Sequence, residues 1–100
     1  MNDDLRIAHN AAQARYDIFV GDVRAGFAEY ELSGTTMTFT HTVTSAHMRG
    51  RGLAERVVRH ALGDARAAGH TVVPQCWFVA QFIDGHPEYA DLLGPSAMGC

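Results

Sequence analysis

The chain contains no lysine, so all eight of its basic side chains are arginines. A P-loop nucleotide site needs a lysine after its second glycine, where the ammonium group contacts the phosphates. The absence of lysine therefore excludes that class of phosphate-binding motif. Any phosphate contact from a basic side chain must come from an arginine guanidinium instead.

The chain also has few cysteines, a small net charge and no long apolar run. Cys76 and Cys100 are the only two cysteines and form no disulfide framework, which favours reduced thiols and a cytoplasmic location. No apolar run approaches the ~18 residues of a membrane span. The net charge of −3 gives no general attraction to nucleic acid or to anionic membranes. We expect neither as a partner, and we expect a monomer or a weak homodimer.

The length of the chain bounds its organisation. One hundred residues with 47% hydrophobic content suit a single domain with one core, which we place at residues 1–94. Residues 95–100 are mostly small and are expected to form a flexible C-terminal tail.

Alternating apolar and polar residues predict three strands: Arg15 to Val20, Val23 to Leu32, and Thr36 to Thr44. The third is the clearest, and a regular period of two places Phe39, His41 and Val43 on one face. Leu5 to His9 could join as an edge strand. Thr71 to Phe78 predicts a further short strand, in which Pro74 must lie at an edge, a bulge or a break.

The period changes to that of a helix after Gly52. Leu53, Val57, Ala61 and Ala65 form an apolar stripe, and Gly69 ends the helix. A second, shorter helix is predicted from Val79 to Asp84. The predicted class is α+β with a mainly antiparallel sheet and the order β-β-β-α-β-α.

The loop between the third strand and the first helix suits an anion. A helix N-terminus has unpaired N–H groups and a partial positive charge. Gly50 and Gly52 allow close approach of the backbone, and Arg49 and Arg51 can bind phosphate oxygens in pairs. A dinucleotide fingerprint is disfavoured, because Glu55 occupies its third small position.

Residues 47–54, His-Met-Arg-Gly-Arg-Gly-Leu-Ala, resemble the acetyl-coenzyme A signature of the GNAT acetyltransferase superfamily, Gln/Arg-x-x-Gly-x-Gly/Ala, with His47 at its first position. Val72 to Val79 and His86 to Leu92 follow in the order and spacing of the minimal, single-domain GNAT-like proteins. The resemblance implies a truncated GNAT-like fold that lacks the helices after its first strand.

The resemblance also implies a ligand and the residues that bind it. The ligand is acetyl-CoA or coenzyme A, acting as co-substrate. Its diphosphate lies on the loop and the helix start, and its pantetheine arm lies between splayed strands. The implied coenzyme-binding residues are Val43, Thr44, Arg49, Gly50, Arg51, Gly52, Leu53 and Ala54.

Two side chains are candidates for the chemistry. His41 lies near the end of the strand that precedes the loop, and imidazole titrates near neutrality, which suits a general base. A core histidine bonded to a backbone carbonyl is the alternative. Cys76 lies across the expected gap, where it could protonate the coenzyme sulfur, accept the acetyl group or line the channel.

The resemblance thus implies an acetyl-CoA-dependent N-acetyltransferase acting on a small-molecule or peptide amine. The alternative is a non-catalytic acyl-CoA-binding or protein-interaction module, because the missing helices help to build the acceptor pocket of larger relatives. No histidine or cysteine spacing indicates a metal site.

Overall fold

The computed structural model of the protein describes residues 5–45 and 52–93. Its sheet has five strands in chain order. The strands are β1 (Leu5–Asn10), β2 (Arg15–Val20), β3 (Val23–Ser33), β4 (Thr36–Thr44) and β5 (Thr71–Pro74). The helices are α1 (Leu53–Ala68) and α2 (Trp77–Asp84), and 3-10 turns span Ala11–Gln13 and Pro87–Leu92. The predicted α+β class is confirmed, with the N-terminal segment as an additional edge strand.

The strands from β1 to β4 pair antiparallel, and β5 pairs parallel with β4. α1 is the crossover between the two parallel strands, and it begins and ends at the predicted glycines, Gly52 and Gly69. Both glycines have positive φ, which a residue with a Cβ rarely adopts. This crossover places the N-terminus of α1 beyond the C-terminal end of β4.

The segment around Pro74 differs from its prediction. β5 ends at Pro74 and α2 begins at Trp77, so the predicted strand from Thr71 to Phe78 is too long and the predicted second helix too short. Proline has no N–H group to donate, and here it terminates a four-residue edge strand, as expected. Trp77 is 72% exposed on the first turn of α2.

Two irregularities in the ladder decide which side chains share a face. Across β2 and β3, Ile18 pairs with Gly26 but Phe19 pairs with Arg24, which leaves Ala25 as an extra residue. Across β3 and β4, Glu29 pairs with His41 but Tyr30 pairs with Phe39, which leaves Thr40 extra. Each extra residue reverses the alternation beyond it.

One face of the sheet and both helices form a single core. The sheet contributes Tyr16, Ile18, Phe39 and Val72, and the helices contribute residues such as Val57 and Val79, all at most 1% exposed. The opposite face carries Arg6 above the ring of Phe19 and Arg24 above the ring of Phe27. The sheet is therefore packed on one side, and its other side is lined by polar and aromatic groups.

Side-chain bonds fasten α1 to its surroundings. The hydroxyl of Tyr16 donates to Asp64 Oδ2 at 3.0 Å, which ties β2 to α1. Arg66 donates to both carboxylate oxygens of Asp91, at 2.7 and 3.1 Å, and this bond lowers the pKa of Asp91. The position of α1 is thus fixed from both sides.

The buried hydroxyl of Tyr16 makes the free energy of unfolding depend on pH in the alkaline range. Burial, with the carboxylate of Asp64 beside the hydroxyl, raises the pKa of Tyr16 far above its ordinary value of 10.0. The unfolded chain then loses this proton first, so the free energy of unfolding falls as pH rises above about 10. We expect Tyr16→Phe to cost about 1–2 kcal/mol at neutral pH, through the lost hydrogen bond, and to flatten the alkaline decline.

Urea unfolding between neutral pH and about pH 11 measures this effect, with Tyr89→Phe as control. The absence of lysine helps, because no lysine ammonium group titrates near pH 10 beside the tyrosines. If the free energy of unfolding falls equally steeply with pH in Tyr16→Phe and in wild type, the pH dependence does not come from Tyr16.

In residues 5–45 and 52–93, no helix is long and apolar enough to span a bilayer. The predicted tail at 95–100 lies outside the described residues. The boundary that we predict at residue 94 therefore stays a prediction.

Candidate functional site

The candidate site lies where β4 and β5 part. Their last paired residues are Phe39 and Pro74, yet β4 continues to Thr44. Beyond Pro74 the backbone N–H of Cys76 donates to the carbonyl of Phe39 at 2.8 Å, and the chain then turns into α2. Within the described part of the chain, no strand pairs with the end of β4 on this side. The stretch from Thr40 to Thr44 therefore borders a gap in the sheet.

Cys76 lies at this gap on the core side. It is the N-cap of α2, half-buried, with its Sγ 3.4 Å from the hydroxyl oxygen of Thr42. Thr42 pairs with Ala28, which pairs with Tyr16, and both of these partners are buried in the core. Thr42 and Cys76 thus meet on the face of the sheet that carries the helices.

His41 lies on the opposite face. The expectation that it shares a face with Phe39 is wrong, because the extra residue Thr40 reverses the alternation between them. The side chain of His41 is 69% exposed, so the alternative of a core histidine is also wrong. The prediction that His41 and Val43 share a face of β4 is confirmed, since Val43 is exposed as well.

The imidazole of His41 has an acidic partner. Its Nδ1 lies 3.2 Å from a carboxylate oxygen of Glu29, the residue that faces it across the strand pair. When Nδ1–H donates to this carboxylate, Nε2 is left as the acceptor nitrogen. A carboxylate that holds the far side of an imidazole fixes its tautomer and orientation, which is what a general base requires.

A pocket of about 690 Å³ opens beside this pair. β3 and β4 form its floor, Gln13 in the first 3-10 turn lies on one side and Gln75 on the other. The hydroxyl of Thr40, the extra residue of β4, donates to the carbonyl of Glu29 at 3.3 Å. The lining residues are Gln13, Glu29, Tyr30, Glu31, Thr40, His41 and Gln75.

The N-terminus of α1 forms the other part of the site. Gly52 is its N-cap in the left-handed conformation, with φ 73°, and it has no side chain that could cap the helix. The N–H of Arg56 donates to the carbonyl of Gly52 at 3.2 Å, as the helix begins. Beside this turn lies a groove of about 640 Å³, lined by Ile7, Gly52, Glu55, Arg56, Arg59 and His60.

The predicted coenzyme-binding residues are described only in part. Arg49, Gly50 and Arg51 lie outside the described residues. Gly52, Leu53 and Ala54 form the start of α1, with Leu53 buried in the core. Val43 and Thr44 lie at the end of β4, beside the gap. The structure thus brings the end of β4, Cys76 and the start of α1 to one end of the sheet.

Glu29 and Thr42 are two polar partners that sequence reasoning missed. Glu29 follows an apolar run of β3 and resembles any solvated carboxylate, and Thr42 is one of many threonines in β4. Only the pairing of β3 with β4 shows that Glu29 faces His41 and that Thr42 faces the core. To identify these two partners, the register of the β3–β4 hairpin would have to be known.

No set of three or more histidine, cysteine, aspartate or glutamate side chains is placed to hold a metal ion in residues 5–45 and 52–93.

The family of the chain follows from its sequence. The model of the GCN5-related N-acetyltransferase family matches residues 15–92, more than three quarters of the chain. The chain therefore belongs to that family. No curated protein matched it.

Solved structures show the same fold. An NMR structure of a GCN5-like putative N-acetyltransferase from Staphylococcus aureus superposes with a TM-score of 0.72 at 17% identity, covering 94% of this chain and 91% of that one. The ribosomal-protein-S18-alanine N-acetyltransferase from Escherichia coli gives a TM-score of 0.61 at 9% identity, over 85% of this chain and 53% of that one. The chain thus matches a small relative along nearly its whole length and about half of a larger one.

Proposed function

We propose that the protein transfers the acetyl group of acetyl-CoA to the amine of a small molecule or a peptide. The observation that carries this proposal is the gap between β4 and β5, which has a histidine–carboxylate pair on one face and a cysteine on the other. Membership in the GCN5-related family supports an acetyltransferase.

The groups around the gap would bind the coenzyme. Backbone groups of Val43 and Thr44 at the free side of β4 would bind the pantetheine amides, as an added strand would. Its diphosphate would lie at the start of α1, where Gly52 allows close approach and Leu53 and Ala54 present N–H groups. Arg49, Gly50 and Arg51 of the preceding loop would complete the phosphate site. Bound there, the coenzyme supplies an acetyl thioester.

His41 would act from the face of the sheet opposite the helices, here called the open face. An amine must be neutral to attack a carbonyl carbon, so Nε2 of His41 would take the proton of the arriving ammonium group. Glu29 would hold Nδ1 and stabilise the resulting imidazolium. The nitrogen lone pair then forms the bond to the carbonyl carbon while the carbon–sulfur bond breaks and its electron pair leaves on the coenzyme sulfur as a thiolate. The nitrogen releases its remaining extra proton to solvent, which gives the neutral amide.

Cys76 would act from the core face. Its thiol would protonate the leaving thiolate and would then regain a proton from solvent, with Thr42 holding its Sγ in place at 3.4 Å. This role needs only a proton transfer and fits direct attack by the amine. The other possibility, an acetyl-cysteine intermediate, would require Cys76 as a thiolate nucleophile.

Two measurements test the proposal. Calorimetric titration with coenzyme A should show one site, and thiol release from acetyl-CoA should depend on an added amine. Substitution of Arg49 and Arg51 together by glutamine should weaken coenzyme binding by about tenfold or more, since each guanidinium contributes a charge-assisted bond to phosphate. The paired control is Arg6→Gln and Arg24→Gln on the open face.

The outcomes separate the two classes of protein. Coenzyme binding without amine-dependent thiol release would favour a non-catalytic acyl-CoA-binding module over an acetyltransferase. Absence of coenzyme binding would exclude both. Intact mass after exposure to acetyl-CoA distinguishes direct transfer from an acetyl adduct on Cys76. A cytoplasmic, monomeric or weakly dimeric protein remains part of this proposal.

A further inference from the structure

The pocket beside His41 points to the kind of amine that the protein accepts. It lies on the open face, at the point where β4 and β5 separate, with Thr40 and His41 of β4 in its floor and Gln75 at one side. If the proposed acetyl transfer takes place in the gap, this pocket is the route by which an acceptor reaches it. The inference therefore rests on the proposed function.

The charges of the pocket are arranged along β3. Glu29 and Glu31 are two residues apart on one strand, so both side chains point to the open face, with their Cα atoms about 7 Å apart. Tyr30 between them points into the core. Among the described residues, the lining includes no arginine. The pocket thus carries two carboxylates along its floor.

The two carboxylates have different surroundings. Glu29 is held by Nδ1 of His41 at 3.2 Å, which ties it to the proposed base. Glu31 is exposed and pairs across the strands with Thr38, a neutral residue. The neighbouring cation Arg15, which faces Glu29 from β2, donates its Nε–H to Asp17 at 3.0 Å. Glu31 is therefore available to a cation that enters the pocket.

We propose that the acceptor is a small amine with a second positive charge, such as a linear diamine, whose reacting nitrogen lies at His41 and whose second ammonium group lies at Glu31. A volume of about 690 Å³ is within the range of pockets for small molecules. Glu31 attracts the distal ammonium group, and an acceptor with a distal carboxylate is repelled. Gln13 and Gln75 on the side walls offer neutral amide groups to the chain between its ends.

Three acceptors with four carbon atoms each test the charge preference: putrescine, n-butylamine and γ-aminobutyrate, which end in an ammonium, a methyl and a carboxylate group. We expect kcat/KM for acetyl transfer to be about tenfold higher for putrescine than for n-butylamine, and lowest for γ-aminobutyrate. Glu31→Gln should remove most of the putrescine preference, so that the ratio of kcat/KM for putrescine to kcat/KM for n-butylamine falls toward one. Glu88→Gln, the matched control on the second 3-10 turn, removes the same charge elsewhere and should leave this ratio unchanged.

A binding measurement separates this inference from the proposed function. Putrescine is titrated into the protein without coenzyme, and amide shifts at Glu29, Glu31 and Gln75 are followed by NMR. Shifts that disappear in Glu31→Gln support the cation pocket, whether or not acetyl transfer occurs. Equal kcat/KM for all three acceptors overturns the inference and leaves acetyl transfer in place. Absence of both putrescine shifts and thiol release overturns both.

Discussion

Replacement of His41 by alanine is expected to lower kcat for acetyl transfer by roughly 10² to 10⁴, the usual contribution of a positioned general base. The imidazole is exposed on the open face and held by Glu29 at 3.2 Å, so its loss leaves the core intact. Coenzyme affinity should not change, because the proposed coenzyme contacts lie at the end of β4 and the start of α1. Thiol release from acetyl-CoA with a saturating amine measures the effect.

Two further variants distinguish a base from a structural histidine. Glu29→Gln keeps the imidazole but removes the carboxylate that orients it, so we expect a smaller loss of kcat, of about tenfold. Added imidazole should restore part of the activity of His41→Ala, since the exposed position leaves room for it, and should not stimulate wild type. Unchanged kcat in His41→Ala would dismiss the role of His41 as base.

The alternation of apolar and polar residues in β4 predicts a strand but not the face on which His41 lies. The alternation of β4 correctly predicted a strand from Thr36 to Thr44. It could not predict that Thr40 would be an extra residue, because a threonine in a bulge looks like any other threonine in a strand. The bulge depends on how β3 pairs with β4, which is a contact between distant residues. The strand was therefore predicted correctly and the face of His41 was not.

The first helix was predictable for the opposite reason. Its apolar stripe, its glycine entry and its glycine end are all local features, and the helix spans Leu53–Ala68 between Gly52 and Gly69 as expected. The start of α2 was harder to predict. Cys76, Trp77 and Phe78 extend an apolar run that suits a strand or a buried helix turn, and only the packing around Pro74 decides between them.

Gly26→Ala is expected to reduce the free energy of unfolding by about 1–3 kcal/mol, the cost of forcing extra volume into a packed region. A Cβ at residue 26 would lie 2.5 Å from the carbonyl oxygen of Val43 and 3.2 Å from Cα of Thr44. Both contacts are to backbone, which cannot swing aside as a side chain does. The end of β4 must therefore move away from β3, and those are the residues that we propose bind pantetheine.

Gly63→Ala provides a control with the same added methyl group. Gly63 lies within α1 and is exposed, and a Cβ there would meet nothing within 4 Å, so alanine should stabilise the protein by about 0.5–1 kcal/mol. Since 1 kcal/mol shifts the melting temperature of a domain this size by roughly 4–8 °C, the two variants should separate clearly by calorimetry. At a temperature where Gly26→Ala is still folded, it should bind coenzyme A more weakly than Gly63→Ala. Equal melting temperatures for the two variants would mean that Gly26 does not hold β3 and β4 in close contact, and equal coenzyme affinities would remove Val43 and Thr44 from the proposed site.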